Sequence, residues 1–149
     1  MKKIVIALLA GLALMRVSAE ELTWLTDVPK AVAQAKEEKK LVLLDFTGSD
    51  WCGWCIKLHK EVFSKAEFAE YAKKNLVLVE VDFPHTKKLS AEQKKANDEL
   101  LAKYKIEGFP TVIVLNGEGK NVTTGESFGY AEGGPKAWIA EFEKHVKKS

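Results

Sequence analysis

Apolar and polar positions follow two different periods along this chain, and the switches between them outline the fold. Across residues 24–40, Val28, Ala31, Val32 and Ala35 recur at i, i+3, i+4 and i+7 behind Pro29, which predicts a helix with proline in its first turn. The run Leu41-Val42-Leu43-Leu44-Asp45-Phe46 is nearly continuous in apolar residues, as a strand covered on both faces should be. Thr47-Gly48-Ser49-Asp50 reads as a loop. A helix is expected to begin near Cys52, with Cys55, Leu58 and Val62 on one face, and Phe68, Tyr71 and Ala72 mark a further helical piece. A second buried-type strand covers residues 76–81. Ser90 and Gln93 have capping-box spacing, so a helix should run from there to about Tyr104 with Ala96, Leu100, Leu101 and Tyr104 as its apolar face. Gly108-Phe109-Pro110 interrupts the chain before a third strand at 111–115. Asn116-Gly117 is a hairpin signal, so a fourth, antiparallel strand is expected near residues 120–128. Gly133-Gly134-Pro135 opens a last helix with Trp138, Ile139, Phe142 and Val146 facing inward.

The predicted order is α, β, α, β, α, β, β, α. Strands separated by helices imply an α/β domain in which helical layers flank a central sheet, and the terminal hairpin makes that sheet mixed, with about four strands. No internal repeat, low-complexity tract or interdomain linker divides it.

The first nineteen residues stand apart from this pattern. Lys2 and Lys3 precede an unbroken apolar run at 4–15, and Val17-Ser18-Ala19 then places small residues for cleavage after Ala19. These are the three parts of a secretory signal peptide. The run is shorter than the roughly 20 apolar residues a membrane span needs, which makes an uncleaved anchor the weaker reading. Residues 1–19 are therefore assigned to a signal peptide and 20–149 to one domain, exported to the periplasm or secreted.

Removing the signal changes the charge. The 149-residue chain carries 23 basic and 21 acidic residues, net +2. Lys2, Lys3 and Arg16 leave with the signal and no acid does, so residues 20–149 hold 20 basic and 21 acidic side chains, net −1. Nothing in that balance suggests a nucleic-acid partner. With 46% hydrophobic and 30% charged residues the composition is that of a globular protein, not a disordered or multi-span membrane chain. Two cysteines are too few for a disulfide-stapled miniprotein or a four-cysteine metal site.

Those two cysteines carry the chemistry. Trp51-Cys52-Gly53-Trp54-Cys55 sets two thiols three residues apart where a strand passes through a loop into a helix. A helix start offers unpaired N–H groups and a partial positive charge, which favour thiolate over thiol. Cys52 is expected there, exposed and with a lowered pKa. Cys55 lies one turn on, facing inward, close enough to close a small disulfide ring. Cys52 can attack a substrate disulfide and Cys55 can resolve the mixed disulfide.

With these pieces in order, the sequence resembles the thioredoxin family: a buried strand ending Asp45-Phe46, Trp51-Cys52-Gly53-Trp54-Cys55, Gly108-Phe109-Pro110-Thr111, a hairpin, and Phe128-Gly129-Tyr130 before the last helix. The resemblance covers residues 22–148. It implies the thioredoxin fold, a cis peptide between Phe109 and Pro110 facing the cysteines, and a backbone there that pairs with an extended substrate segment. It implies that Asp45 is a buried proton acceptor assisting Cys55, and that Gly129 permits close backbone approach. Three features depart from the family: Gly53-Trp54 replaces Gly-Pro, Lys60 stands where a helix-kinking proline is common, and the loop from Asp45-Phe46 to Cys52 is one residue longer.

Other readings of these residues exist. A static disulfide is disfavoured because a three-residue spacing constrains little chain. Cys52, Cys55 and His59 could share a helical face as metal ligands, but a closed zinc site needs a fourth. Asp45 could be a solvent-exposed strand-end acid. His59, His85 and His145 read as surface or packing residues, and Asn121-Val122-Thr123 is a glycosylation sequon only in a eukaryotic source. The expected function is thiol–disulfide exchange with protein substrates by an exported monomer. Cys52, Cys55 and Asp45 are the catalytic candidates, and Trp51, Gly53, Trp54, Phe109 and Pro110 the substrate surface. No metal or bound cofactor is called for, and a redox partner must regenerate the pair. The competing class is a metal-binding or non-catalytic thioredoxin-like scaffold.

Overall fold

The structure is a computed structural model, and it describes residues 21–125 and 127–147. The expected signal peptide and its expected cleavage site lie outside the described residues. Among those described, no helix is long and apolar enough to cross a membrane.

Four strands form one mixed sheet in the order β1-β3-β2-β4: β1 Trp24–Leu25, β2 Leu41–Thr47, β3 Leu76–Asp82 and β4 Thr111–Leu115. β2 runs parallel to β3 and antiparallel to β4, so Asp45 lies between Glu80 on one side and Val112 on the other. The expectation of an α/β thioredoxin fold with a mixed sheet of four strands is met.

One face of the sheet carries Leu43, Leu78, Val112 and Val114. It is covered by Leu58, Val62 and Phe63 of the helical segment after the cysteines, by Phe68 and Ala72 of α3 (Ala66–Asn75), and by Trp138 and Phe142 of α5 (Gly134–Lys144). The other face carries Val42, Leu44, Phe46, Val79 and Val81. Ala31 and Ala35 of α1 (Val28–Glu38), both fully buried, pack against it, and Leu100 of α4 (Ala91–Lys103) packs there half-buried. Because successive strand residues alternate between faces, Asp45 and Glu80 share the first face with Leu43 and Leu78.

Three sequence expectations are corrected. The first helix does not begin at Trp24: Trp24 and Leu25 pair in parallel with Leu78 and Val79, and the helix starts at Val28, where the Asp27 carboxylate accepts the Lys30 N–H at 2.9 Å as an N-cap. The fourth antiparallel strand at 120–128 exists only as isolated bridges, Leu115 to Asn121 and Val112 to Phe128. Its middle is drawn off to the C-terminus, where Thr123 bridges Val146 and the Thr124 N–H donates to the His145 carbonyl at 2.7 Å. Gly125, at φ +79°, turns the chain between the two sets of bonds. Finally, α4 buries no apolar side chain completely. Leu100, Leu101 and Tyr104 are half-buried and Ala96 is exposed. The one fully buried residue is Asn97, whose amide donates to the Asp82 carbonyl at 2.9 Å.

Candidate active site

β2 ends in a tight loop that delivers the cysteines. The Trp51 and Cys52 N–H groups both donate to the Gly48 carbonyl, at 3.2 and 2.9 Å, and this turn sets Cys52 at the N-cap of α2 (Gly53–Leu58). The Cys52 Sγ accepts the Cys55 N–H at 3.2 Å, so the sulfur itself caps the helix. Cys52 and Cys55 are joined as a disulfide with Cα atoms 5.2 Å apart. When the bond opens, the charge on Cys52 sits beside that N–H and the positive end of the helix, the environment that stabilises a thiolate. The helix continues as a π-helical segment, His59–Phe63, in which the Ser64 N–H reaches back to the His59 carbonyl. This irregularity lies at Lys60, where the family often has its proline, so the helix departs from α geometry there without one.

Cys52 is less open than expected. It retains only 7% exposure and Cys55 4%, whereas Trp51 and Trp54 are 42% and 58% exposed. Two exposed indoles thus neighbour the buried sulfurs along the chain, and each indole is tied to a different loop. The Trp51 Nε1–H donates to the Phe83 carbonyl at 2.8 Å, its ring stacks on His85 at 4.3 Å, and its edge meets Phe109 at 6.0 Å. Trp54 packs on Tyr130 at 5.2 Å, with the Lys57 ammonium 5.0 Å from the centroid of each ring. The Tyr130 hydroxyl in turn donates to the Glu61 carboxylate at 2.6 Å.

The Phe109–Pro110 peptide is cis, as the family resemblance implies. Gly129 lies against it so closely that a Cβ would overlap the Pro110 carbonyl. At Gly53, by contrast, a Cβ would meet nothing within 4 Å, so no steric demand requires glycine there. Beside Trp51 and Phe109, a cleft of about 430 Å³ opens between Phe83, Leu89 and Leu101.

Asp45 is buried, 8% exposed, and its Oδ1 has no hydrogen-bond partner. Burial pushes its carboxyl up to about 8, helped by the nearby charges of Glu80 and Asp82. Among the alternatives left open, the exposed strand-end acid does not hold. Glu80 is half-buried, and its carboxyl is also raised, by burial and by Asp82, against the opposing pull of Lys87 and His59.

Several contributors escape a reading by motif. The Asp50 carboxylate accepts from the Thr86 hydroxyl at 2.6 Å and from the His85, Thr86 and Lys87 N–H groups at 2.8–2.9 Å, so it pins the loop that carries Trp51's partners. The Thr86 hydroxyl and these N–H groups hold its carboxyl far below the ordinary range. Ser49 donates to Asp82 through its N–H at 2.9 Å and its hydroxyl at 2.5 Å. The one signal available was Glu80, an acid in an otherwise apolar strand, as Asp45 is. His59 is exposed, and among the described residues no group of three or more His, Cys, Asp or Glu is placed to hold a metal ion.

Comparison with known proteins agrees with this geometry. Residues 28–131 match the thioredoxin-like domain family. The disulfide bond reductase DsbH of Chlamydia pneumoniae is 36% identical over 131 residues, covering 88% of this chain and 76% of the relative. The thioredoxin-related protein DsbJ of the same organism is 31% identical over 137 residues, but the chain spans 39% of its length. A solved structure described as DsbH oxidoreductase superposes with a TM-score of 0.77 at 35% identity, covering 87% of this chain and 88% of that one.

Proposed function

The chain belongs to the thioredoxin-like family and is a thiol–disulfide oxidoreductase, and from that premise we propose that it works as an exported reductase of protein disulfides. The observation that carries the reading is the Cys52–Cys55 pair at a helix N-cap, flanked along the chain by the exposed Trp51 and Trp54, with the Trp51 ring meeting Phe109 of the cis Phe109–Pro110 peptide. Reduction is favoured as the direction by the likeness to a relative described as a disulfide bond reductase. Export rests on the positive start, apolar run and Ala19 cleavage pattern of residues 1–19.

In the reducing cycle, the Cys52 thiolate attacks one sulfur of a substrate disulfide. A Cys52–substrate bond forms and the other substrate sulfur leaves as thiolate. Cys55 gives its proton to Asp45 and attacks the Cys52 Sγ. The Cys52–Cys55 bond forms, the Cys52–substrate bond breaks, and the second substrate thiolate leaves and takes a proton from water. Two electrons have passed from the pair to the substrate. Asp45 suits this task because it is buried with an unpartnered oxygen and a proton affinity near neutrality. Trp51, Gly53, Trp54, Phe109 and Pro110 form the surface a substrate segment meets. The exposed Trp51 and Trp54 surface beside the pair suits a protein substrate and a monomeric enzyme, and an exported or membrane-borne dithiol donor would restore the reduced pair.

Equilibrating the pair with glutathione or dithiothreitol redox buffers tests the direction. A potential near the thioredoxin value of about −270 mV is expected; one near about −120 mV, the range of a strong oxidant, would overturn the reductase reading.

A further inference from the structure

Asp45 has to lose the proton it accepts before the next turnover, and its surroundings restrict where that proton can go. Along β4 its register partner is Val112, buried and apolar. On its own strand and face lie Leu43 and Thr47, both buried. Its register partner on β3 is Glu80, which points to the same face from a strand about 4.8 Å away. β1 pairs only with Leu78 and Val79, so β3 has no neighbour on its outer edge beside Glu80 among the described residues, and the Glu80 side chain is half-buried. The next acid on that face, Asp82, is already engaged by the Ser49 N–H and hydroxyl, with the Lys87 ammonium 3.9 Å away.

We propose that Glu80 is a positioning residue for the redox step: beside Asp45 on the adjoining strand, it shares Asp45's proton and passes it to solvent past the end of β1. The proposal rests on the reading of Asp45 as the acceptor of the Cys55 proton. In the resolving step, that proton moves from Cys55 Sγ to the Asp45 carboxylate as the Cys52–Cys55 bond forms. It then moves to the Glu80 carboxylate, and from there to water, so that Asp45 can accept a proton again in the next cycle. Burial raises Glu80's proton affinity most, and Asp82 on its own strand raises it further; Lys87 on the loop after β3 and His59 on the π-helical segment lower it. Glu80 in turn raises the proton affinity of Asp45, its register partner on β2. Two carboxyls this close titrate as a pair, not as independent groups.

The test follows resolution of a mixed disulfide between Cys52 and a small aromatic thiol by stopped-flow absorbance from pH 5 to 10. It compares the wild type with Glu80→Gln, Glu80→Asp and Asp45→Asn. With Glu80→Gln the midpoint of the pH profile is expected to fall by about 1 unit, because a like charge beside Asp45 is gone. Glu80→Asp, which keeps the charge, should hold the midpoint close to wild type. Asp45→Asn should remove the inflection altogether. If Asp45→Asn removes it and Glu80→Gln superposes on wild type, Glu80's role is refuted and Asp45's stands. If Asp45→Asn leaves the profile unchanged, the underlying reading of Asp45 fails. If Glu80→Asp shifts as far as Glu80→Gln, the effect is packing and the proposal falls. Carbon-13 titration of the two carboxyls in the unmutated protein tests it without substitution: linked inflections on both carbons support the pair, and two unlinked single-step curves overturn it.

Discussion

Asp45→Asn separates the energetic role of this buried acid from its surroundings. The native carboxyl holds its proton up to about 8, against an ordinary value of 3.8. Between those limits the unfolded chain has released the proton and the folded chain keeps it. The stability this site contributes is therefore greatest below the unfolded value and declines as pH rises, at about 1.4 kcal/mol per unit, until the native group also ionises near 8. Over roughly four units the loss from this one site is on the order of 5 kcal/mol, a large share of the 5–15 kcal/mol that usually holds a domain folded. Asparagine is uncharged throughout, so the variant should lose this slope and become the more stable protein above about pH 7, while resolving mixed disulfides more slowly. Urea unfolding of the oxidised wild type and variant from pH 5 to 9 measures the difference. Glu80, raised in the same direction, leaves a smaller residual slope in both. Parallel stability curves for the two proteins would refute the reasoning, because they would show Asp45 ionising as an ordinary surface acid.

Trp138 is fully buried among Phe63, Phe68, Phe128 and Phe142, with ring centroids 5.1–5.7 Å away, and Trp138→Ala should cost about 3–5 kcal/mol in denaturant unfolding. Its indole N–H also donates to the Gly129 carbonyl at 2.8 Å, so Trp138→Phe should disturb the chain beside Pro110 as well, visible in the amide shifts of Gly129 and Tyr130. Gly129→Ala forces a Cβ into the Pro110 carbonyl; it should slow disulfide exchange at least tenfold, equivalent to about 1.4 kcal/mol, while helix content by circular dichroism holds. Asp50→Asn removes a charged acceptor from four hydrogen bonds, so amide exchange at His85, Thr86 and Lys87 should accelerate while the core amides stay protected. Because the Asp50 carboxyl is held below its ordinary value, its stabilisation is present above about pH 4 and disappears as pH falls further, and the variant should lack that loss.

The parts legible in the sequence are those decided by residues close together in the chain. Cys52 and Cys55 are fixed by their spacing at a strand–helix junction, and β2 and β3 by unbroken apolar runs. The cis Phe109–Pro110 peptide followed from the family resemblance. What remained hidden depends on partners distant in sequence. Trp24-Leu25 becomes a strand only because Leu78 and Val79 present an edge to it. The hairpin after Asn116-Gly117 loses its second strand because the C-terminus competes for the same backbone groups at Thr123 and Thr124. Asp50 looks like an ordinary loop acid until residues 85–87, about 35 positions later, fold onto it. Asp45 could be singled out as an acid in an apolar strand, but its lateral pairing with Glu80 needs the register of two strands.

Trapping the mixed disulfide tests the central claim most directly. Cys55→Ser, reduced and mixed with disulfide-bonded exported proteins, should accumulate a covalent adduct through Cys52 that mass spectrometry locates and dithiothreitol releases, while Cys52→Ser should form almost none. Absence of an adduct with Cys55→Ser, or adducts that form equally well through Cys55 in Cys52→Ser, would contradict the assignment of Cys52 as the nucleophile of a protein disulfide reductase.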